Sequence, residues 1–345
     1  MKMSKSFIGL VVVSTIFVIY ASGFYTNFQT DSALEIVDFS IDAPANKNRA
    51  PSNPDRIPLY GDLHVHTKYS FDAYIFGVTA TPYDAYKYAI GEAIKHPLGF
   101  DMKLREPLDF YAVTDHGFYM GMIENYADTS SKMSKNEWTK PMHNLNRPEN
   151  VTIESLGDRA DLFSSVLTEA IIKPYPYWHP KVWKAWFTNN IQVALQSFDY
   201  DVHKSAWADV ANAAEEFNDP GKFTTFIGYE FTTSTDVEGG NLHRNVIFNS
   251  SNAPIRPWTR IDSINPEDLW TWMDGLRDKG LDSLAMPHNS NGSNGQMFEV
   301  ETFRGKPIDN EYSEKRMRNE PVVEITQIKG TSDTHPLLSP DDEWA

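Results

Sequence analysis

The sequence predicts an α/β fold, a barrel or a sheet, that carries a mainly helical insertion. Three observations indicate this class: short apolar runs alternate with helical patterns, most of the apolar runs adjoin polar residues suited to a functional site, and residues 118–221 interrupt the alternation. Alternating strands and helices are typical of parallel sheets and barrels, whose functional side chains gather at the carboxyl ends of the strands.

The predicted strands share one design, an apolar run beside residues that can bind a metal ion. The first run, RIPLYGDLHV, contains His64 and leads directly to His66. Short apolar runs with polar ends are typical of buried strands that open into a site. The later runs, with their polar residues, are PLDFYAVTDHG with Asp115 and His116, FTTFIGYEFT with Glu230, NLHRNVIFNS with His243, and LDSLAMPHNSNG with His288. PVVEITQIKG predicts a further strand.

Two helices carry clear boundary signals. In TPYDAYKYAIGEAIKHP, Thr81 can cap the helix and Pro82 occupies its first position. In NPEDLWTWMDGLRDKG, Asn265 is the capping residue, Pro266 follows it, and Gly280 lies past the end. Polar caps, proline in the first turn and glycine beyond the last turn are typical of helices in proteins.

The insertion at 118–221 is predicted to be mainly helical and to lie over the site. It contains the aromatic segment YPYWHPKVWKAWF and the helical pattern VHKSAWADVANAAEEF. Trp178, Trp183 and Trp186 fit two interpretations, stacking on a sugar or aryl group and packing in the core.

The N-terminus predicts an extracytoplasmic protein, periplasmic or secreted. A basic MKMSKS precedes the uncharged apolar stretch FIGLVVVSTIFVIYASGFY, which suits a secretory signal peptide or a marginal membrane span. Ala21 and Gly23 form a small-x-small pair of the kind that signal peptidase cuts. We assign 1–23 to a signal peptide or membrane anchor, 24–56 to a linker and 57–345 to one domain, and we expect membrane contact only through the N-terminal segment.

Composition excludes several classes of function. With 31 Lys plus Arg against 47 Asp plus Glu, the formal net charge of the 345 residues is -16, which disfavours nucleic acid and anionic lipid as partners. The chain has no cysteine, so disulfides, thiolate zinc sites and cysteine nucleophiles are excluded. Because thiolate ligands are absent, any bound metal must be held by histidine and carboxylate. The hydrophobic fraction of 41% suffices for a sizeable core.

A histidine and carboxylate series at the strand ends predicts a metal centre. Alternate residues of a strand share a face, so His64 and His66 can direct both rings to one ion. Imidazole nitrogen and carboxylate oxygen suit zinc, manganese or iron. One His-x-His pair is weak support, but the chain places a whole series near predicted strand ends: His64, His66, Asp72, Asp115, His116, Glu230, His243 and His288.

These motifs carry a family resemblance. In order, HVHTKYSFD, AVTDHG, IGYE, NLHRNVIF and MPHNSN resemble the metal-binding motifs of the PHP (polymerase and histidinol phosphatase) phosphoesterase superfamily. GDLHVHT together with GNLHRNVIF looks like an uncharacterised PHP-related family of unknown function. The resemblance covers residues 60–291 and implies a distorted (β/α)7 barrel that holds two or three divalent metal ions at the carboxyl ends of its strands.

The resemblance also implies roles for individual residues. Asp115 would orient a ligand or water rather than bind a metal directly. The implied ligands are His64, His66 and Glu230 for the first metal, Asp72 and His116 for the second, and Glu230, His243 and His288 for the third. The superfamily's last motif, Asp-x-His, has a counterpart in Asp333 and His335 of GTSDTHP. Two interpretations are open: this pair completes the first and second sites, or it is a look-alike in a domain that is incomplete at its C-terminus.

The expected function is metal-dependent hydrolysis of a phosphate ester on a small anionic molecule. Clustered cations would lower the pKa of a bridging water and supply hydroxide. Arg244 would clamp a phosphate oxygen, or it is a surface or structural arginine. Two alternatives are a metal-dependent hydrolase of an amide, lactone or sulfate ester, and a non-catalytic binding module with structural metals.

Overall fold

The computed structural model describes residues 33–40, 57–169, 198–234, 240–327 and 330–332. They form a mixed α/β structure with both parallel and antiparallel sheets. The predicted α/β class is therefore confirmed. No sheet within these ranges closes into a barrel, so the (β/α)7 barrel stays a prediction.

The strands of the described residues are short. In chain order they are β1 (Ile36–Asp38), β2 (Gly61–Val65), β3 (Ile94–Lys95), β4 (Asp101–Met102), β5 (Phe110–Val113), β6 (Thr224–Thr225), β7 (Gly228–Phe231), β8 (Arg244–Phe248), β9 (Asn252–Pro254), β10 (Ser283–Pro287), β11 (Thr326–Gln327) and β12 (Gly330–Thr331). The five runs that adjoin the predicted metal ligands all contain strands. PVVEITQIKG contributes only β11 and the start of β12 within the described part.

Two three-stranded sheets meet at the end of β5. β2, β5 and β6 pair in parallel, whereas β7, β8 and β10 pair antiparallel. The backbone beyond β5 joins them: Glu230 N donates to Asp115 O at 2.9 Å, and Gly117 N donates to Glu230 O at 2.8 Å. A Cβ at Gly117 would lie 2.7 Å from the ring of Tyr229, so this close approach requires glycine. The junction brings the carboxyl ends of β2 and β5 beside β7.

Seven α-helices surround the sheets in the described part of the chain. They are α1 (Phe71–Ile75), α2 (Pro82–Ala89), α3 (Met122–Ala127), α4 (Leu156–Glu169), α5 (Tyr200–Phe217), α6 (Pro266–Arg277) and α7 (Asn310–Asn319). The described portion of the insertion at 118–221 is helical, with α3, α4, α5 and short 3-10 turns.

The predicted helix boundaries are confirmed. The Thr81 side chain accepts from Asp84 N, and the Asp84 carboxylate accepts from Thr81 N, so α2 begins with a capping box. At α6, the Asn265 side chain accepts from Glu267 N at 2.9 Å. Gly280 follows α6 with a φ of 88°, the left-handed conformation that glycine adopts without strain.

Among the described residues, the core has two parts. The larger part packs α2, α5 and α6 against both sheets, with Trp207, Tyr229, Phe248 and Trp272 buried among them. On α5, residues at i, i+3, i+4 and i+7 face this core because helical periodicity puts them on one side. The smaller part joins α1 to α3 and α4, and it includes Phe71, which packs against the His116 ring with centroids 4.6 Å apart.

Part of the predicted linker belongs to the folded domain. β1 pairs antiparallel with β9, Trp272 Nε1 donates to Ala33 O at 2.6 Å, and Lys279 Nζ donates to Leu34 O at 2.7 Å. Residues 33–40 therefore pack on the domain, in contrast to the prediction of a linker over 24–56. The sequence pattern did not reveal β1, because three residues are too few to show a periodicity and the strand pairs with β9 alone among the described strands.

Several predictions lie outside the described residues. These are the N-terminal segment 1–23, the aromatic segment with Trp178, Trp183 and Trp186, and the pair Asp333 and His335. The extracytoplasmic location rests on the first of them and stays a prediction. Within the ranges that the structure describes, no helix combines the length and apolarity needed to cross a bilayer.

Candidate metal centre

The strand ends deliver the predicted ligands to one place. His64 lies in β2 and His66 follows that strand, so the alternation of strand side chains directs both rings to the same side. Glu230 lies in β7 and faces them across the junction between the sheets. The other members come from α1 (Asp72), the residues after β5 (His116), the residue before β8 (His243) and the residue after β10 (His288).

Glu230 is the centre of the cluster. Its side chain is only 1% exposed, and within the described chain five histidines place a ring nitrogen within 3.5 Å of its carboxylate. The distances to Oε2 are 3.5 Å from His64 Nε2, 3.1 Å from His66 Nε2 and 3.5 Å from His288 Nε2, and those to Oε1 are 2.9 Å from His116 Nδ1 and 2.7 Å from His243 Nδ1.

Asp72 supplies a second carboxylate. It lies 3.2 Å from His66 Nδ1 and 3.4 Å from His116 Nε2, so these two rings bridge Asp72 and Glu230. Ser70 Oγ and Ala73 N donate to Asp72 Oδ1 at 2.6 and 2.7 Å. The first turn of α1 therefore fixes this carboxylate in position.

Glu324 is a member of the cluster that the sequence analysis missed. One of its carboxylate oxygens lies 2.9 Å from His64 Nδ1. The signal was a charged residue inside the apolar run PVVEI, the same pattern that marks Glu230 in IGYEF. The resemblance to PHP motifs stopped at residue 291 and gave no reason to select it.

The carboxylates of the cluster are held ionised. Burial would raise the pKa of Glu230, but the surrounding histidines, His116 first among them, outweigh burial and hold that pKa well below its usual value. Burial likewise opposes ionisation of Asp72, and His66 and His116 hold its pKa well below the usual value. The cluster thus offers ionised carboxylate oxygens to a cation.

The histidines divide into two kinds. Burial would lower the pKa of His64, but hydrogen bonds to Glu230 and Glu324 prevail and raise it to about 9. The pKa of His66 is also raised, because Asp72 and Glu230 outweigh burial. Burial prevails at His243, whose pKa falls to about 4, and at His288, whose pKa is lowered. A metal ion at His64 or His66 would displace a proton, because a ligand nitrogen must be unprotonated.

The side chains fit a metal ion. His288 is fully buried, and within the described part of the chain its Nδ1 has no hydrogen-bond partner and its Nε2 has only the long 3.5 Å contact with Glu230 Oε2, which is costly for a polar ring unless something else satisfies it. Four sets of three residues bring their ligand atoms within 4.8 Å of one another among the described residues: His64, His66 and Glu230; His66, Asp72 and His116; His116, Glu230 and His243; and His64, His288 and Glu324.

Two of these sets contain the ligands expected for the first and second metals. The set expected for the third, Glu230 with His243 and His288, is divided. His243 groups with Glu230 and His116, whereas His288 groups with His64 and Glu324. The nitrogen and oxygen donors suit zinc, manganese or iron, and no thiolate takes part.

The side chains of Asp115 and Arg244 bind partners other than the Glu230 carboxylate. Asp115 is buried and accepts from Thr67 N and from Thr67 Oγ1, the latter at 2.7 Å, so it fixes the turn after His66. Burial raises its pKa to about 6. This position fits the orienting role expected of Asp115, which stays a prediction.

Arg244 has other partners than the expected phosphate. Its buried guanidinium donates to the carboxylate of Glu320 through Nε and to Leu242 O through Nη1. These contacts place the guanidinium in a buried ion pair, which fits the interpretation of a structural arginine. We therefore favour the structural interpretation, and the phosphate clamp stays an untested prediction.

One comparison with known proteins gives a match. A family model described as "Protein of unknown function (DUF3604)" matches residues 53–345. No curated protein and no solved structure matches the chain. The family description states no function and no link to the PHP superfamily, so that resemblance stays a prediction.

Proposed function

We propose that this chain, which belongs to the DUF3604 family, is a metal-dependent hydrolase that cleaves phosphate esters of small molecules. The observation that carries the proposal is the surroundings of Glu230. A buried carboxylate enclosed by five histidines of the described chain, with Asp72 as a second carboxylate, is an expensive arrangement for stability alone. Such clusters of perturbed ionisable groups are concentrated at functional sites.

The residues that would hold two or three divalent ions follow from the cluster. His64, His66 and Glu230 form one ligand set, and Asp72 with His116 forms the core of a second. Bound zinc, manganese or iron would supply Lewis acidity, which acidifies water and neutralises charge that develops on a phosphoryl group.

The protein's own side chains prepare the site for this chemistry. Glu230 and Asp72 stay ionised and so keep their oxygens as acceptors. His243 is neutral at pH 7, and since its Nδ1 faces Glu230 Oε1 at 2.7 Å, the lone pair on Nε2 is left for an ion or a proton. Asp115 holds the Thr67 backbone and thereby orients the turn that carries His66.

The proposed substrate class is anionic. A chain with a net charge of -16 repels anions at long range, so an anionic group would be attracted only where bound cations reverse the local field. The PHP resemblance supports phosphate esters over other anions. Amide, lactone and sulfate ester substrates are outcomes of the test below.

The test is metal analysis combined with a substrate panel on the full chain. We expect two or three ions per chain and hydrolysis of p-nitrophenyl phosphate or its diester with added Mn²⁺, Zn²⁺ or Fe²⁺. His66→Ala removes a direct ligand, so it is expected to lower metal affinity and turnover by more than the roughly 10- to 100-fold typical of a supporting residue.

His96→Ala is the matched control, because this histidine lies in the turn between β3 and β4 and stacks on Phe100 outside the cluster. His96→Ala is expected to retain the metal affinity and the turnover of the wild type. Absence of metal and of turnover would contradict the proposal. Turnover confined to amide, lactone or sulfate ester substrates would contradict its phosphate part. Bound metal with no turnover on any substrate, and a His64→Ala variant altered only in melting temperature, would favour a binding module.

A further inference from the structure

We propose that Glu324 is a positioning residue of the metal centre, which holds the His64 ring so that Nε2 faces Glu230 and the ion. The proposal rests on the proposed function, because it requires that His64 bind a metal. It assigns a role to a residue outside the resemblance to known metal motifs.

The contacts of the His64 ring carry the inference. Glu324 Oε2 and Oε1 lie 2.9 and 3.2 Å from His64 Nδ1, while His64 Nε2, on the other side of the ring, lies 3.5 Å from Glu230 Oε2. A neutral imidazole has one N–H and one lone pair. If Nδ1–H donates to Glu324, the lone pair is on Nε2, the nitrogen that faces the cluster. A carboxylate that accepts from the distal N–H is the usual partner of a metal-binding histidine.

Glu324 is itself held in place from two directions. Gln327 Nε2 donates to Glu324 Oε1 at 2.8 Å and to Asn289 Oδ1 at 2.7 Å, so one amide uses both of its hydrogens. The backbone N–H of Glu324 donates to Pro287 O at 3.0 Å. The segment that contains Glu324 is therefore fixed to the end of β10, beside His288. This gives the carboxylate a defined position relative to the cluster rather than a mobile surface one.

A direct metal role for Glu324 through His64 is disfavoured by the chemistry of imidazole. His64 Nε2 and His66 Nε2 converge on the same oxygen of Glu230, which is the ligand set expected for the first ion. If His64 also bound a second ion through Nδ1, both nitrogens would need lone pairs and the ring would have to be an imidazolate anion. A hydrogen bond to Glu324 requires only the ordinary neutral ring.

The test is titration of the metal-free full chain with Zn²⁺ against a chromogenic chelator. We expect Glu324→Ala to raise the zinc dissociation constant by about 10- to 100-fold, as loss of a supporting carboxylate does elsewhere. Glu324→Gln is expected to cause a smaller rise, because its Oε1 can still accept from Nδ1–H. Glu299→Ala, at an exposed position, removes the same charge and is expected to leave the constant unchanged.

A spectroscopic readout separates positioning from general destabilisation. In the zinc-loaded protein with ¹⁵N-labelled histidine, His64 should have a protonated Nδ1 and a metal-bound Nε2, and Glu324→Ala should alter these two shifts most. Gln327→Leu serves as a second variant if Glu324→Ala does not fold. It removes the amide that fixes Glu324, and a smaller rise in the dissociation constant is expected.

The outcomes are distinct. Unchanged zinc affinity in Glu324→Ala would overturn the proposal while the proposed function stands. Loss of one whole zinc equivalent, with the remaining ions bound as in the wild type, would make Glu324 a direct ligand and would also overturn it. If the wild-type protein itself binds no zinc, manganese or iron, the proposed function fails as well.

Discussion

At the scale of single residues, histidines of this protein take opposite ionisation states according to their partners. His64 lies between two carboxylates, which outweigh burial and raise its pKa to about 9. His203 is more deeply buried, no carboxylate of the described residues hydrogen-bonds to its ring, and burial lowers its pKa to about 4. Its Nε2–H donates to Gly117 O at 2.6 Å, one residue beyond His116. A neutral His203 therefore supports the backbone that carries a member of the cluster.

The lowered pKa of His203 predicts a loss of stability in acid. Unfolded His203 binds a proton near pH 6.5, whereas folded His203 binds one only near pH 4, so between these values the unfolded state holds more protons and folding weakens as pH falls. From pH 7.5 to pH 5 this residue should cost about 2 kcal/mol of unfolding free energy. His203→Gln keeps a donor for Gly117 O and cannot titrate.

Between pH 7.5 and pH 5, we expect the unfolding free energy of His203→Gln to fall by about 2 kcal/mol less than that of the wild type. Urea unfolding of both metal-free proteins at the two pH values measures the difference, and metal removal excludes a contribution from metal release. If both proteins lose the same free energy between pH 7.5 and pH 5, His203 is not the neutral buried group described above.

At the scale of secondary structure elements, Arg244 joins β8 to α7. Its partner Glu320 also accepts from Trp270 Nε1 on α6 at 2.7 Å and from Arg316 Nε at 3.1 Å. The ion pair is buried, with both side chains 2% exposed. Removal of one member of such a pair leaves a charge with poor compensation in the interior. Arg244 therefore attaches the residue that caps the end of α7 to the sheet.

This role predicts that Arg244→Met loses stability and keeps activity. The expected loss of unfolding free energy is about 3 kcal/mol, near the lower end for a broken buried pair because Arg316 still compensates Glu320. Turnover per metal-loaded folded molecule should stay within about threefold of the wild type, a difference of roughly 0.7 kcal/mol. Thermal unfolding and kinetics below the transition measure the two effects. A large loss of turnover at full folding would restore Arg244 as a phosphate clamp.

The strands and helices next to the cluster were predictable because their signals are local. Caps such as Thr81 and Asn265, and apolar runs that lead to His64 or Glu230, are properties of a few neighbouring residues. β1 was not predictable, since three residues pair only because β9 offers an edge. The partner of Arg244 was also beyond reach, because Glu320 lies 76 residues away along the chain.

The residues of the candidate site were also predictable only in part. The sequence indicated seven of the residues that the structure groups, because strand alternation and the order of motifs are visible in one dimension. It missed Glu324, which reaches His64 from 260 residues away. It grouped His288 with His243, and both rings do approach Glu230, but it did not indicate that His288 also lies next to the His64 ring, with centroids 4.2 Å apart. Ring packing between strands depends on the tertiary structure alone.

At the scale of the whole molecule, the cluster draws its residues from both sheets. His64, His66 and His116 belong to the side of β2 and β5, whereas Glu230, His243 and His288 belong to β7, β8 and β10. At the site, the described backbones of the two sheets are connected by the β-bridge between His116 and Glu230. A metal ion bound there would add a direct link between two sheets that the larger core already packs together.

Metal removal is therefore expected to lower the melting temperature of the protein. A ligand that binds only the folded state stabilises it by about 2.7 kcal/mol at a free concentration 100 times its dissociation constant, which corresponds to a shift of roughly 5 °C for a domain of this size. The shift should grow with the logarithm of metal concentration. Without the ion, the buried carboxylates depend on protonated histidines such as His64 for counter-charge, so the loss should be larger in alkaline solution than near neutrality.

Thermal unfolding followed by tryptophan fluorescence, with EDTA and then with stepwise added Zn²⁺ or Mn²⁺, measures the effect. His96→Ala should keep the metal-dependent shift because its ring lies in the turn between β3 and β4. His66→Ala should lose most of it, since the His66 ring contacts both Asp72 and Glu230. Identical melting temperatures with EDTA and with saturating metal would mean that no ion joins the two sheets, because any ion held by both must bind the folded state more tightly than the unfolded chain.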